Sequence, residues 1–234
     1  MKQGTPAQLT LADEIVVLML RDDTGEVRTE CIDVSSVAIA GGILMELSML
    51  GRIDTDLKSL FIVDPSPVGD DLLDRVLEEI DAAEKRSSAW WIERLSRQNP
   101  DLLNKILERL VQAGILLVEN RRYLWIFSRR AYPQNTGREE REAKARLASV
   151  IHGNELPTPR DTLLLGLAQA SGVLSAIFPQ EEINKAARRI AEVVALEEIG
   201  RSVGAVASDL RTALVTIMEA RDAARRQPSP GNTW

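Results

Sequence analysis

Along the chain, stretches whose apolar residues recur every three or four positions alternate with one stretch that is apolar throughout. In "LADEIVVLML" the stripe is Leu11, Ile15, Val16, Leu18 and Met19. Thr10 stands where an N-cap belongs, Asp13 three residues on makes the start capping-box-like, and "RDDTG" closes the segment as a turn. "DDLLDRVLEEIDAAEK" repeats the pattern through Leu72, Leu73, Val76, Leu77 and Ile80. "AWWIERLSR" predicts a short helix, and "NPDLLNKILERLVQAG" another, with Leu103, Ile106, Leu107 and Leu110 inward and Gly114 as its stop. "GREEREAKARLASVI" is a charged helix with a narrow apolar face. Ahead of "RDTLLLGLAQASGVLSAIF", Thr158 can cap, Pro159 suits the first helical position and Asp161 the third. Two Ala- and Ile-rich helices fill Gln180 to about Arg225, broken around Gly200 to Gly204.

Three segments leave the helical period. Glu26 to Ile32 reads as a short extended piece, and "SLFIV" as a strand before the loop "DPSPVG". After Gly114, "ILLVE" and "YLWIFS" flank "NRR", which predicts a hairpin with an arginine tip. The remaining stretch, "VAIAGGILMELSML" from Val37 to Leu50, is apolar on almost every side. Its length falls short of the ~20 residues needed to span a bilayer, so it is expected to be a helix buried within protein. Gly51 follows as a C′ glycine, with Arg52 placed to meet the terminal carbonyls. The pair Gly41 and Gly42 implies close helix packing. Glu46, the segment's one carboxylate, has to accept hydrogen bonds from an arginine or from free backbone donors.

The elements together predict a mainly α fold: one globular multi-helix domain over residues 8–225, with one or two short β-hairpins and a disordered tail at 226–234. Composition agrees, since 44% hydrophobic and 27% charged residues in 234 are ordinary for a globular protein. A formal net charge of −6 gives the whole molecule no attraction to nucleic acid or anionic lipid, so any such binding needs a local patch. Cys31 is the lone cysteine, which excludes an internal disulfide framework. "MKQGTPAQLTLADEI" has no long apolar run behind a basic start, so no signal peptide is expected. The expected location is cytoplasmic, at most peripheral on the cytoplasmic face of a membrane.

Catalytic and metal-binding motifs are not found, and no cofactor or enzymatic activity is expected. His152 is the single histidine and is read as structural or solvent-facing, and Cys31 lacks a histidine partner. One stretch stands apart: "RRYLWIFSRR", residues 121–130, holds four arginines and no acid. Its aromatics Tyr123, Trp125 and Phe127 alternate and so share one face of a strand. Such a basic, aromatic hairpin suits a negative surface, because aromatic rings favour the headgroup level of a bilayer and each nearby arginine adds ~1 kcal/mol on anionic lipid. The same segment also has the cadence of a winged helix, whose wing would set arginines on nucleic-acid phosphates. Against that, the supposed recognition helix shows Asp101, Leu102, Leu103 and Glu108 beside only Lys105 and Arg109.

Taken in order, "LTLADEIVVLMLRDDTGE", "GGILMELSMLGRI", "PVGDDLLDRVLEEI", "WIERLS", "ILERLVQAGILLVENRRYLWIF" and "RDTLLLGLAQASGVLSAIF" resemble the Golgi phosphoprotein 3 family over roughly residues 8 to 220. The Ala- and Arg-rich style looks like a bacterial member. The resemblance implies a non-enzymatic, mostly helical domain peripheral to membranes. Eukaryotic members bind phosphatidylinositol 4-phosphate and help retain glycosyltransferases in the Golgi, and their hairpin contributes to membrane contact or oligomerisation. Here the hairpin position is Asn120 to Phe127.

The implied partners are an anionic lipid or phosphoinositide headgroup, a membrane surface, membrane-protein tails, and a second copy bound through the hairpin. Candidate lipid or phosphate contacts are Arg28, Lys105, Arg109, Arg121 and Arg122; candidate membrane contacts are Tyr123, Leu124 and Trp125. The chain departs from the family's headgroup pocket at each position compared. Gly25 to Ser36 holds no tryptophan, and the pocket's arginine positions fall on Ala40, Pro100 and Leu103. The expected function is therefore peripheral binding of anionic lipid with altered headgroup specificity. The alternatives are a winged-helix-like nucleic-acid binder and a cytosolic interaction protein that has lost the lipid site.

Overall fold

A computed structural model describes residues 9–56, 58–98, 101–123, 127–153, 156–196 and 204–226; for residues 120–130 it describes backbone alone. The first helix, α1 (Leu11–Met19), begins with a full capping box: Thr10 Oγ1 accepts the Asp13 N–H at 3.2 Å, and the Asp13 carboxylate accepts the Thr10 N–H at 2.9 Å. All of α1 is buried. The turn after it ends at Gly25, whose φ of +66° favours glycine and where a Cβ would collide with the backbone of Pro133.

The piece expected to be extended is instead α2 (Thr29–Ile32), one helical turn; only Val27 pairs in a bridge, with Leu20. The residues buried here are Cys31 and Val34, three apart. Helical spacing puts both on the core side, whereas strand spacing would send them to opposite faces. The central helix α3 (Ser35–Met49) follows, buried over nearly its whole length. Its glycines explain themselves in packing: a Cβ at Gly42 would lie 3.0 Å from the Ala12 nitrogen of α1, and one at Gly41 would lie 2.9 Å from the Leu214 side chain. Gly51 ends the helix at φ +68°. Arg52 donates its backbone N–H to the Leu47 carbonyl, but its side chain pairs with Asp64 rather than capping the helix.

Next come β1 (Ile53–Thr55) and β2 (Leu60–Ile62), an antiparallel hairpin of which the sequence indicated only the second strand. Helices α4 (Asp71–Asp81), α5 (Ser88–Gln98) and α6 (Leu102–Gln112) lead to Gly114, at φ +74°. The second hairpin is β3 (Glu119–Tyr123) and β4 (Phe127–Ala131). Five helices complete the chain: α7 (Arg138–His152), α8 (Pro159–Ala170), α9 (Val173–Ile177), α10 (Gln180–Leu196) and α11 (Gly204–Arg226). Thr158 and Pro159 open α8 as the sequence predicts. The fold is mainly α, with two short hairpins among the described residues.

Contacts fix two ends of the bundle. The Leu11 N–H at the start of α1 binds Glu46 near the end of α3 (2.7 Å), so the two helices run antiparallel. Helix α5 also opposes α3. Near its start Ser88 bonds Asp209, which also takes Thr55 just past α3; near its end Ser96 meets Arg221, which also binds the Asp33 carbonyl just ahead of α3. The second hairpin leaves from the end where α3 starts, because the Tyr132 N–H donates to the Gly25 carbonyl at 2.8 Å. That is the hairpin end; α1 begins at the opposite end.

The hairpin register corrects one expectation. Arg121 and Arg122 are in β3, with Arg121 opposite Arg129, Arg122 opposite Ser128 and Tyr123 opposite Phe127. The tip is therefore not "NRR"; the link is residues 124–126, and with it Leu124 and Trp125 lie outside the described residues. Pairing is set from the base, where Leu116 bridges Gln134 and the Leu117 N–H meets the Pro133 carbonyl at 2.8 Å. Counting outward from there leaves the arginines inside the ladder.

Candidate functional site

At the opposite end, arginine builds a network. Arg160, in the first turn of α8, has a side chain only 11% exposed. Its Nε donates to Glu14 at 3.1 Å, its Nη1 to Glu46 at 3.1 Å, and its Nη2 to the Leu9 carbonyl. Arg146 from α7 takes the other oxygen of Glu14. Arg109 spans three partners, with Nε on Asp13 (3.0 Å), Nη1 on Asp70 (2.7 Å) and Nη2 on Thr10 (3.0 Å). Burial raises the Glu14 carboxyl above its usual value, while Arg160 and Arg146 pull it back. Glu46 is thus a structural carboxylate held by an arginine and a backbone donor.

Arg109, Arg146 and Arg160, with Thr10, Asp13, Glu14 and Asp70, line a cleft of about 800 Å³ between α1, α6, α7 and the start of α8. Its fourth arginine, Arg138, pairs with Glu142 at 2.7 Å. All four cleft guanidiniums carry carboxylate partners, so the walls are neutralised and offer little to a phosphate. Among the sequence candidates, Arg109 belongs to this end.

The hairpin end differs. Arg28 caps the start of α2 in position only; its Nη2 pairs with Asp22 at 3.2 Å, and its buried Nε has no hydrogen-bond partner. Asp22 also accepts from Lys144 at 2.7 Å. A hydrogen bond from the Glu140 carboxyl, then Lys144 and Arg28, hold Asp22 down to about 2, while burial raises Glu140. Lys105 is exposed in the first turn of α6. Of the family pocket positions, Ala40 is fully buried and Leu103 half-buried, neither able to meet a phosphate, and Pro100 lies outside the described residues. The structure therefore gathers Arg28 and the strands holding Arg121, Arg122 and Tyr123 toward one end.

Three residues that sequence reasoning passed over also meet at this end: Arg97, Arg221 and Arg225. No spacing within one helix could reveal them, because they come from α5 and α11. His152 is half-exposed, 3.6 Å from Glu182. Burial pushes the Cys31 thiol up to about 11, which leaves it unreactive at neutral pH. No helix among the described residues is long and apolar enough to cross a membrane.

Residues 11–226, nearly the whole chain, match the family model for Golgi phosphoprotein 3 (GPP34), and the chain belongs to the Golgi phosphoprotein 3 family.

Proposed function

We propose that this protein binds anionic lipid at a membrane surface as a peripheral, non-enzymatic protein, with the hairpin end toward the bilayer. The observation that carries this reading is the β3–β4 register. Arg121, Arg122, Arg129 and Arg130 all fall within the two strands, and the apolar Leu124, Trp125 and Ile126 follow in the link between them. Cations in the strands, with an apolar tripeptide between them in sequence, suit a headgroup layer beside hydrocarbon. At ~1 kcal/mol for each arginine near anionic lipid, the hairpin supplies the local attraction that a net charge of −6 denies the whole molecule. Family membership supports a phosphoinositide of the phosphatidylinositol 4-phosphate type as one headgroup, membrane-protein tails as clients, and pairing of copies through the hairpin. With Ala40 and Leu103 in place of cations, little preference for that lipid over other anionic lipids is expected at equal surface charge.

Vesicle co-sedimentation tests this. Phosphatidylcholine vesicles, plain or with phosphatidylserine or phosphatidylinositol 4-phosphate at matched charge, are run beside a duplex DNA shift. The wild-type chain should bind both anionic vesicles and not the neutral ones. The double change Arg121→Ala/Arg122→Ala should weaken that binding ~10-fold or more, at 1.4 kcal/mol per decade. Unchanged vesicle binding with lost DNA affinity would favour the nucleic-acid reading instead.

A further inference from the structure

The cleft beside α1 holds one charge that folding leaves over. Asp13 and Asp70 share Arg109, Glu14 takes Arg146 and Arg160, and Glu142 takes Arg138. Five carboxylates thus line the cleft against four arginines, and the fifth is Glu139, in the first turn of α7. Glu139 is half-buried; its Oε2 is shut off from solvent and meets no hydrogen-bond donor among the described residues. Arg138, its neighbour in sequence, feels the Glu139 charge but gives its hydrogen bond to Glu142.

A helix N-terminus favours acids in its first turn, which accounts for Glu139 and Glu140 standing there. It does not account for a carboxylate turned to the cleft with one oxygen that has neither water nor a donor. The rest of the lining says what kind of cation would answer it. Leu110 and Ala143 are buried, and Leu9 and Ile115 half-buried, so much of the wall is apolar. No aromatic side chain lines the cleft among the described residues, so no ring face is offered to a quaternary ammonium. The head has to donate hydrogen bonds. Glu142, three residues on and on the same helix face, gives only its Oε1 to Arg138 and keeps Oε2 for a second contact. A volume of about 800 Å³ is also within the roughly 300–1,000 Å³ of small-molecule sites.

We propose that this cleft binds a small organic amine, with its ammonium on Glu139 and Glu142 and its apolar body against Leu110 and Ile115. An ammonium on either Glu139 oxygen neutralises both, because the carboxylate charge is delocalised. The arginines of the cleft are already neutralised by their own carboxylates, so they neither repel this ligand nor hold an anionic one. The assignment uses no hairpin residue and does not depend on the membrane reading.

The test is a proton–nitrogen NMR titration of the full chain with hexylamine, hexanol and hexanoate at neutral pH. Hexylamine should shift the amides of Gly114, Ile115, Glu139 and Ala143 saturably, hexanol about tenfold more weakly, and hexanoate not at all. Glu139→Gln should lower hexylamine affinity about tenfold, as loss of a charged hydrogen bond implies. Ala113→Trp, which narrows the cleft from an exposed position, should remove binding with the charges intact. Both variants should melt like wild type. Hexylamine binding to Glu139→Gln as to wild type overturns the proposal, as do hexanoate binding as tightly as the amine and the absence of saturable shifts at the cleft. Tighter binding of Nα-acetyl-lysine amide than of hexylamine would replace the small amine with a peptide side chain and overturn it as well.

Discussion

Where α1 begins, Arg109, Arg146 and Arg160 each rest on carboxylates, and Glu14, Glu46 and Asp13 are buried beneath them. At the hairpin end Arg121 stands opposite Arg129 and Arg28 shares Asp22 with Lys144, while Arg221 bonds only neutral atoms, with Glu93 and Asp33 acting on it from farther off. One residue type serves two purposes, and local charge balance separates them. A charge removed from water needs its counter-charge, so at the buried end each arginine is spoken for. At the water-facing end nothing in folding demands that balance, and the surplus cation is available to an outside anion. Counting arginines in a sequence therefore says little about anion binding until the acids within reach of each are known.

The contrast can be broken from either side. The largest effect is expected from Arg160→Met, which leaves Glu14 and Glu46 buried together without their shared partner. Breaking a buried pair typically costs about 3–5 kcal/mol, which for a chain of this size lowers the melting temperature by roughly 10 °C. Calorimetry should show that drop, while vesicle affinity at a temperature where the variant is folded stays at the wild-type value. A loss below about 1 kcal/mol would mean the network contributes far less than its burial implies.

Arg109→Gln should cost less, about 2 kcal/mol, because it removes charged hydrogen bonds from a side chain that is partly exposed. Its vesicle binding should remain within twofold. If binding fell and stability did not, Arg109 would have to be counted with the lipid contacts after all.

The smallest effect concerns acid. The folded-state carboxyl of Asp22 is held at about 2 against an ordinary 3.8. It therefore binds protons more weakly folded than unfolded, and its contribution is complete above pH ~4 and fades as pH falls toward 2. Glu14 and Glu140 are raised, so their contributions run the other way: present at low pH and lost as pH rises through their folded-state values. Asp22→Asn should accordingly flatten the loss of stability between pH 4 and 2, read as the urea midpoint against pH. An unchanged acid limb would show that the Asp22–Lys144–Arg28 contacts are screened away by solvent.

How far the sequence spoke depends on the range of the interaction. Thr10 with Asp13, Thr158 with Pro159, and Gly51 and Gly114 act within one turn, and each appears in the fold where its local chemistry puts it. The central helix was legible because no surface position tolerates so continuous an apolar run. The need of Glu46 for an arginine or free backbone donors followed from burial alone, but which of them did not, since Arg160 is 114 residues away and the Leu11 N–H 35. The β-branched Val27, Thr29 and Ile32 signalled extension, and the burial of Cys31 and Val34 decided for a helical turn. The hairpin tip was misplaced for a similar reason: its register is dictated at Leu116 and Gln134, outside the aromatic segment that drew attention. The convergence of Arg97, Arg221 and Arg225 depends wholly on how α5 and α11 lie against α3, and no one-dimensional pattern carries it.

The reach of Arg160 has a meaning in time as well as in energy. It joins positions 151, 146 and 114 residues earlier in the chain. At about 5–20 residues per second of synthesis, Glu46 waits roughly 6–23 s on the ribosome before its counter-ion is made. Through most of that interval α1 and α3 bring two carboxylates toward each other with no arginine to neutralise them, since Arg146 reaches Glu14 only from α7. Their docking is therefore discouraged until α7 and α8 emerge. Contacts this distant also slow the search for the native state. The start of α8 becomes the piece that completes the carboxylate network, and a nascent chain cut before it should hold the N-terminal helices apart.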